Sequence, residues 1–459
     1  MDEQQKRREI IAQLVEARLE KGISQAELAR MIGTQRSNIC RLESGAQNPT
    51  LDMLLKITAA LDKDITLLLE DKEEIMSNIY SLRIYDTELI RFSMEKRGLE
   101  GLVAEILSVN TEHSHLMPLD MEQTNEGIIK WLERRVIPKN RTYVDEILKT
   151  LGLSHNDTKG IIDVCKGLSL NDSYWVVPDG FEGTFAQYNL YENRFSEMLA
   201  LVAYTGAGQS KQAFTTSPEL TTNGMLPKAW RYIENDGIYL YKGGTSGASN
   251  AGREPYCEYY ASQIAETMRL NAVHYELENW KGITASKCAL FTSRDVSYIP
   301  IGRIVKSGGI QKCLEYYDSM GKDFAEQIRS MLVFDALIYN EDRHFGNFGV
   351  LRDNHTGEVI APAPIFDNGL SLFCYAGRDD IPNLAEYAKT RSNPYNISFE
   401  EVCAEVMGAK QKEQLRRMIG FKFKRHPSVN LPEEHLAAIE QQLELRVRKL
   451  LAIPTRNKN

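Results

Sequence analysis

Tyr339-Asn340-Glu341-Asp342-Arg343-His344-Phe345-Gly346-Asn347 carries the strongest chemical signal in the chain. An Asp followed five residues later by an Asn, on a loop that folds back on itself, suits phosphoryl transfer. The carboxylate orients an acceptor hydroxyl, and the amide oxygen is a ligand for magnesium against the phosphates. Asp342 is therefore the expected base and Asn347 a metal ligand. Further on, Ile365-Phe366-Asp367-Asn368-Gly369 places an Asp at the end of a strand-like stretch, and Asp367 is the second expected metal ligand. His344 is expected to brace the loop through hydrogen bonds rather than to move protons.

Such a transfer also needs a cation on the phosphates. Lys242 ends the strand-like IYLYK, directly after Asn235-Asp236-Gly237, a strong hairpin signal. It is placed to touch the α- and β-phosphates of ATP. A carboxylate from the following helix would orient it, with Glu258 the first choice and Glu254 in reserve. Thr221-Thr222-Asn223-Gly224-Met225-Leu226-Pro227-Lys228 lies between candidate strands and is expected to cover the phosphates, with Gly224 and Lys228 against the nucleotide. A rival, Gly206-Ala207-Gly208-Gln209-Ser210-Lys211, fails the GxxxxGK[ST] spacing and reads as a surface loop.

A different chemistry is written near the N-terminus. Ser24-Gln25-Ala26-Glu27 is a capping box that opens a helix, Gly33 supplies a sharp turn, and Thr34 is expected to cap a second helix from Gln35 to Glu43. Leu28, Ile39 and Leu42 point inward, whereas Gln35, Arg36, Ser37, Asn38 and Arg41 are types that read base edges or hold phosphates. SQAELARMIGTQRSNICRLESG resembles the XRE/Cro-type helix-turn-helix family, and the likeness extends over about residues 8–66. The resemblance implies that the start of the second helix enters the major groove of operator DNA through Gln35, Arg36 and Asn38, with Gln25 and Arg41 on phosphates. One such domain reads a single half-site, so a homodimer is expected. A protein-interaction module without DNA affinity is the other reading of this segment.

Over roughly residues 185–450 the chain resembles the HipA-type serine/threonine protein kinases. The likeness rests on G-x-x-x-K (Gly224 to Lys228), the strand lysine Lys242, D-x-H-x-x-N (Asp342, His344, Asn347) and Asp367. It implies ATP and magnesium as cofactors and a protein substrate; relatives are toxins or stress-response regulators that phosphorylate aminoacyl-tRNA synthetases. Such kinases are commonly paired with a separate helix-turn-helix antitoxin, which here looks fused in cis and would regulate its own operon. It also implies an autophosphorylated hydroxyl in the phosphate loop, for which Thr221 is the candidate, with Thr222 and Ser217 nearby. MLPK replaces the usual polar residues of that loop. Two further readings stay open: a nucleotide-sensing transcriptional regulator with an inactive kinase fold, and a small-molecule kinase.

The elements that must position these residues define a multidomain α+β chain. Residues 1–72 form an all-α helix-turn-helix domain with apolar stripes at Ile10, Leu14 and Ala17 and at Leu51, Leu54, Leu55 and Leu61, bounded by the acidic stretch 70–74. Residues 73–205 read as a helix-rich connector, with EGLVAEIL and IIKWLERRV as helical patterns. Residues 206–305 form a β-rich small lobe (AWRYI, IYLYK, VHYEL, CALFT, VSYIPIGRIV), and 306–459 a mainly helical large lobe. The net charge of -8 confines any DNA-binding face to a local patch. A charged N-terminus, no long apolar run and seven scattered cysteines without metal spacing imply a cytoplasmic protein with reduced thiols and no membrane span. His113 and His115 read as a polar loop, and 422–426 as a solvated basic helix end.

Overall fold

Local capping chemistry shapes the N-terminal unit. Among the described residues four helices follow one another: α1 (Glu3–Glu20), α2 (Gln25–Met31), α3 (Arg36–Glu43) and α4 (Leu51–Ala60). The Ser24 hydroxyl accepts from the Glu27 amide at 3.2 Å, and Gly33 turns the chain at a φ of +70°. Gln35, not Thr34, is the residue at the start of α3; the Thr34 hydroxyl instead accepts from Asn38 Nδ2 at 2.9 Å. Leu28, Ile39 and Leu42 are buried together with Ile11, Ile57 and Leu61. The α1 stripe is offset from expectation: Ile11 packs inward while Ile10 is 43% exposed, and Leu51 and Leu55 of α4 also face outward. One residue is about 100° of helix rotation, so a register error of one turns a stripe away from the core. Arg18 clamps the helices, donating to both oxygens of Glu43 at 2.6 and 2.8 Å.

The computed structural model describes residues 3–45, 47–63, 78–97, 101–207, 216–248 and 250–455. By contact the chain divides into Met1–Ile75 and Met76–Asn459. The acidic stretch 70–74 and residues 208–211 of the rival loop lie outside the described residues. Among the described residues no helix is long and apolar enough to cross a membrane.

Among its described residues the larger unit contains three antiparallel sheets. The first has the order β3-β2-β1-β4, from β1 (Ile79–Ile84), β2 (Thr87–Arg97), β3 (Gly101–Val109) and β4 (Tyr174–Pro178). This corrects the helical reading of EGLVAEIL: its residues 101–107 belong to β3, paired with β2 from Arg97↔Gly101 to Ile90↔Val109. The first six residues of IIKWLERRV do lie on a helix, Asn125–Glu133, whose Ile128, Trp131 and Leu132 cover the sheet. The second sheet has the order β5-β6-β8-β7, from β5 (Lys228–Ile233), β6 (Gly237–Lys242), β7 (Glu276–Trp280) and β8 (Ile283–Ala289). Asn235 takes a φ of +61° in the β5–β6 hairpin, and the register sets Lys228 directly opposite Lys242. Opposed residues share a face, so both lysines project together. The third sheet joins β9 (Val296–Pro300), β10 (Gly349–Asp353) and β11 (Val359–Pro362).

The largest core surrounds the helix Lys322–Ile338, buried throughout its last nine residues, with Glu433–Ala452 and Phe399–Val406 packed around it. The basic stretch 422–426 is exposed at Lys422 and Lys424 but is irregular backbone rather than a helix end, and Lys422 and Arg425 both pair with the buried Glu440 at 3.0 and 2.6 Å. His435, on Glu433–Ala452, is buried with Nε2 unpartnered, and burial pushes its imidazole down to about 4. The unfolded chain takes up this proton below its ordinary value of 6.5 and the folded chain only near 4. Stability from the neutral imidazole is therefore lost as pH falls across that window. Hydrogen exchange of Glu433–Ala452 should show a loss of up to about 3 kcal/mol between the two values, absent in His435→Leu.

Candidate active site

Lys242 stands at the end of β6, buried, with its ammonium on two carboxylates. It pairs with Glu258 and donates to Asp367 Oδ1 at 2.5 Å. Glu258 rather than Glu254 is the carboxylate from the Glu254–Met268 helix; Glu254 instead accepts from the Tyr375 hydroxyl at 3.0 Å. The second Glu258 oxygen accepts from Ser286 Oγ on β8 at 2.8 Å, which fixes the carboxylate from the sheet side. Burial by itself would discharge Lys242, but Asp367 and then Glu258 hold its ammonium charged, well above the usual lysine range. Asp367 is itself held below the usual carboxylate range, against burial, by Lys242 and then Lys228.

Lys228, across the hairpin, is in a different state. Burial, then the Lys242 charge, lowers it to about 7. Its Nζ donates to the Asn223 carbonyl at 3.0 Å. Gly224 makes this possible: at a φ of +93°, a Cβ there would stand 2.2 Å from Lys228 Nζ. The strand lysine and the glycine loop thus enclose one polar space.

The Asp342 loop follows the Lys322–Ile338 helix through Tyr339, which ends the helix at a left-handed φ of +53°. Asp342 is half-buried, and burial raises its carboxyl, with the Asp367 charge adding to the rise and His344 opposing it. Asn347 Nδ2 donates to the Asp342 carbonyl at 2.9 Å, which turns its amide oxygen the other way. His344 Nδ1 accepts from the Gly346 amide at 3.0 Å, within the loop. Lys228, Lys242, Glu258 and Asp367 lie within each other's electrostatic reach, and Asp342 within that of Lys242 and Asp367. Among the described residues no cluster of three or more His, Cys, Asp or Glu side chains is arranged to hold a metal, and the oxygen donors here are two carboxylates and the Asn347 amide.

Ser217, Thr221 and Thr222 are tied into the structure. Thr221 is 4% exposed and donates to the Leu168 and Pro218 carbonyls at 2.8 and 3.3 Å. Thr222 donates to Pro218 and accepts from Trp230 Nε1, and Ser217 accepts from the Glu219 amide. Below them Arg141 and Glu219 form a fully buried pair at 2.6 Å, and Arg141 also donates to the Thr222 and Lys228 carbonyls.

Two residues essential to this geometry have no role assigned by the motif, Arg343 and Asp335. Arg343 is fully buried and donates to both Asp335 oxygens, to the Asn347 and Phe366 carbonyls and to Asn368 Oδ1. The signal that exposes them is a carboxylate inside the apolar run SMLVFDALI, since a buried acid needs a paired cation.

In the N-terminal unit Gln35, Arg36, Ser37 and Arg41 are exposed. Arg41 donates to Asn38 Oδ1 at 2.8 Å, and Gln25 donates to Glu43 at 2.9 Å. Residues 14–68 match the helix-turn-helix family model. The N-terminal unit carries a helix-turn-helix domain. An uncharacterized HTH-type transcriptional regulator of Haemophilus influenzae is 37% identical over 59 residues, which are 13% of this chain and 60% of that protein. The chain thus spans less than two thirds of the curated relative it matches. Among solved structures, a Helicobacter pylori proinflammatory kinase, CtkA, is similar at a TM-score of 0.41 and 19% identity, covering 50% of this chain and 91% of that one. The HipA, HipB and operator DNA complex of a Shewanella oneidensis toxin–antitoxin system is similar at a TM-score of 0.47 and 12% identity, covering 82% of this chain and 100% of that one. At these values neither likeness identifies a fold.

Replacing Arg343 by Ala leaves Asp335 as a buried, unpaired charge and frees both loops. Chemical denaturation of the variant should show a loss of about 3–5 kcal/mol, the scale for breaking a buried ion pair.

Proposed function

We propose that the chain is a HipA-like serine/threonine protein kinase, transferring the γ-phosphate of ATP to a protein hydroxyl and to one of its own, with a helix-turn-helix domain that binds operator DNA of its own operon as a homodimer. The observation that carries the kinase reading is Lys242, held charged between Glu258 and Asp367, with Lys228 opposite it and Asp342 within reach. Two neighbouring lysines, one paired with Glu258 and Asp367 and the other holding only the Asn223 carbonyl, fit a polyphosphate. Asp367 and the Asn347 amide offer the oxygen donors that suit a hard divalent cation. Bound to Asp367 and Asn347, magnesium would supply charge neutralisation on the phosphates.

In this reading Lys242 and Lys228 hold the phosphate oxygens, and Glu258 keeps Lys242 aimed. Asp342 accepts the proton of the acceptor hydroxyl as that oxygen bonds to the γ-phosphorus. The bond from the γ-phosphorus to the β–γ bridging oxygen breaks, and ADP leaves. Burial and the Asp367 charge raise Asp342, which makes it a stronger proton acceptor than an ordinary aspartate. For the N-terminal domain, the support is the exposed Gln35, Arg36, Ser37 and Arg41 at the start and along one side of α3.

Incubation with labelled ATP and magnesium should label wild-type protein and leave Asp342→Ala slower by about 10²–10⁴-fold, the usual contribution of a general base. Mapping the label decides among Thr221, Thr222 and Ser217. ATP bound without label on either protein would favour a nucleotide-sensing regulator, and ATP consumed without protein labelling a small-molecule kinase. In a gel-shift with duplex DNA from upstream of the chain's own coding sequence, Arg36→Ala should weaken binding by about 1–3 kcal/mol. Unchanged affinity in that variant would instead point to a protein-interaction module.

A further inference from the structure

A cavity of about 530 Å³ opens in the larger unit beside β2 and β3, and its walls include none of the Lys242 cluster. Five cations line it, Lys96, Arg134, Lys139, Lys159 and Arg303, against one lining acid, Glu133. Their partners are stretched thin. Arg134 and Arg303 share Asp120, at 3.6 and 3.1 Å. Lys96 reaches Asp157 only at 3.9 Å, and Lys139 donates to the neutral amide of Asn156 at 2.8 Å. Lys159 alone has a close acid of its own, Asp163 at 2.9 Å. Two guanidiniums on one carboxylate leave N–H donors in a geometry suited to phosphate oxygens. Val136, Ile137 and Pro138 add an apolar wall, and the volume lies in the range of small-molecule sites.

We infer that this cavity is a binding site for a small polyphosphorylated molecule, separate from the Lys242 cluster. Asn223 also lines it, and the carbonyl of the same residue holds Lys228 Nζ. An occupant would therefore touch the loop that covers Lys228. Binding itself does not depend on the kinase reading, because none of the five cavity cations takes part in that chemistry.

The test is isothermal titration of the full-length protein with inorganic tripolyphosphate. Lys96 and Lys139 are both exposed, so charge reversal should leave the fold intact. Lys96→Glu with Lys139→Glu should weaken one site at least tenfold, and Lys242→Met should leave that same site unchanged. Equal affinity in the charge-reversed and wild-type proteins would overturn the inference. So would loss of all tripolyphosphate binding in Lys242→Met, since the anion would then belong to the other cluster. Should circular dichroism show the double variant misfolded, Lys139→Ala alone serves, with a threefold or larger weakening expected and no change counting against the site.

Discussion

The geometry of the cleft depends on one guanidinium. The Asp342 loop and the Asp367 turn are irregular backbone, and neither is held by a sheet. Arg343 reaches both from inside the protein: it donates to the Asn347 carbonyl on one side and to the Phe366 carbonyl and Asn368 on the other. Asp335, one turn before the end of the Lys322–Ile338 helix, takes the remaining donors at 2.9 and 3.0 Å. Five N–H groups thus meet five acceptors, the full capacity of the side chain. Lysine has three donors on one point charge and could not span the two loops. Because Asp335 sits in the buried half of the Lys322–Ile338 helix, the core itself sets where Asp342 and Asp367 lie.

Charge placement above the loops follows a different constraint. Like charges directly opposite on paired strands are destabilising, yet Lys228 and Lys242 face each other across β5 and β6. Two carboxylates offset Lys242, while Lys228 has only a carbonyl and titrates near 7. A hairpin built on apolar and aromatic residues has no structural need for that arrangement. Its electrostatic cost is explained if an anion enters between the two ammoniums, which would charge Lys228 fully. The same strands that carry the cost also fix the spacing.

Much of this is legible in the sequence where the determinants are local. Ser24, Gly33 and the inward Leu28, Ile39 and Leu42 define the helix-turn-helix within a few residues of each other. Asn235-Asp236-Gly237 fixes the hairpin, and the hairpin fixes Lys242. The first sheet is not legible, because EGLVAEIL spaces its apolar residues at intervals that satisfy a helix. Only pairing with β2 decides for strand, and half-buried edge residues such as Leu102 and Ile106 blur the alternation. Arg343 is hidden for a related reason: its five acceptors are spread over residues 335–368 and meet only in the fold. Glu258 is legible as one of two acids four residues apart on a helix, but Ser286 on a distant strand is what selects its position.

A second buried arginine governs the upper loop as Arg343 governs the lower. Arg141 and Glu219 have no exposed side-chain surface, and Arg141 spans the Thr222 and Lys228 carbonyls while Glu219 takes the Trp230 amide at 2.7 Å. The hydroxyls of Thr221 and Thr222 point into this packed layer. A phosphate on Thr221 would add nearly two negative charges beside Glu219 in a space with almost no solvent. Modification there therefore requires residues 217–226 to leave their seat. Their departure would strip Lys228 of the Asn223 carbonyl and Arg141 of the Thr222 carbonyl. A phosphate on Thr221 and the present conformation of its loop are thus incompatible, and the buried Arg141–Glu219 pair braces the unmodified arrangement.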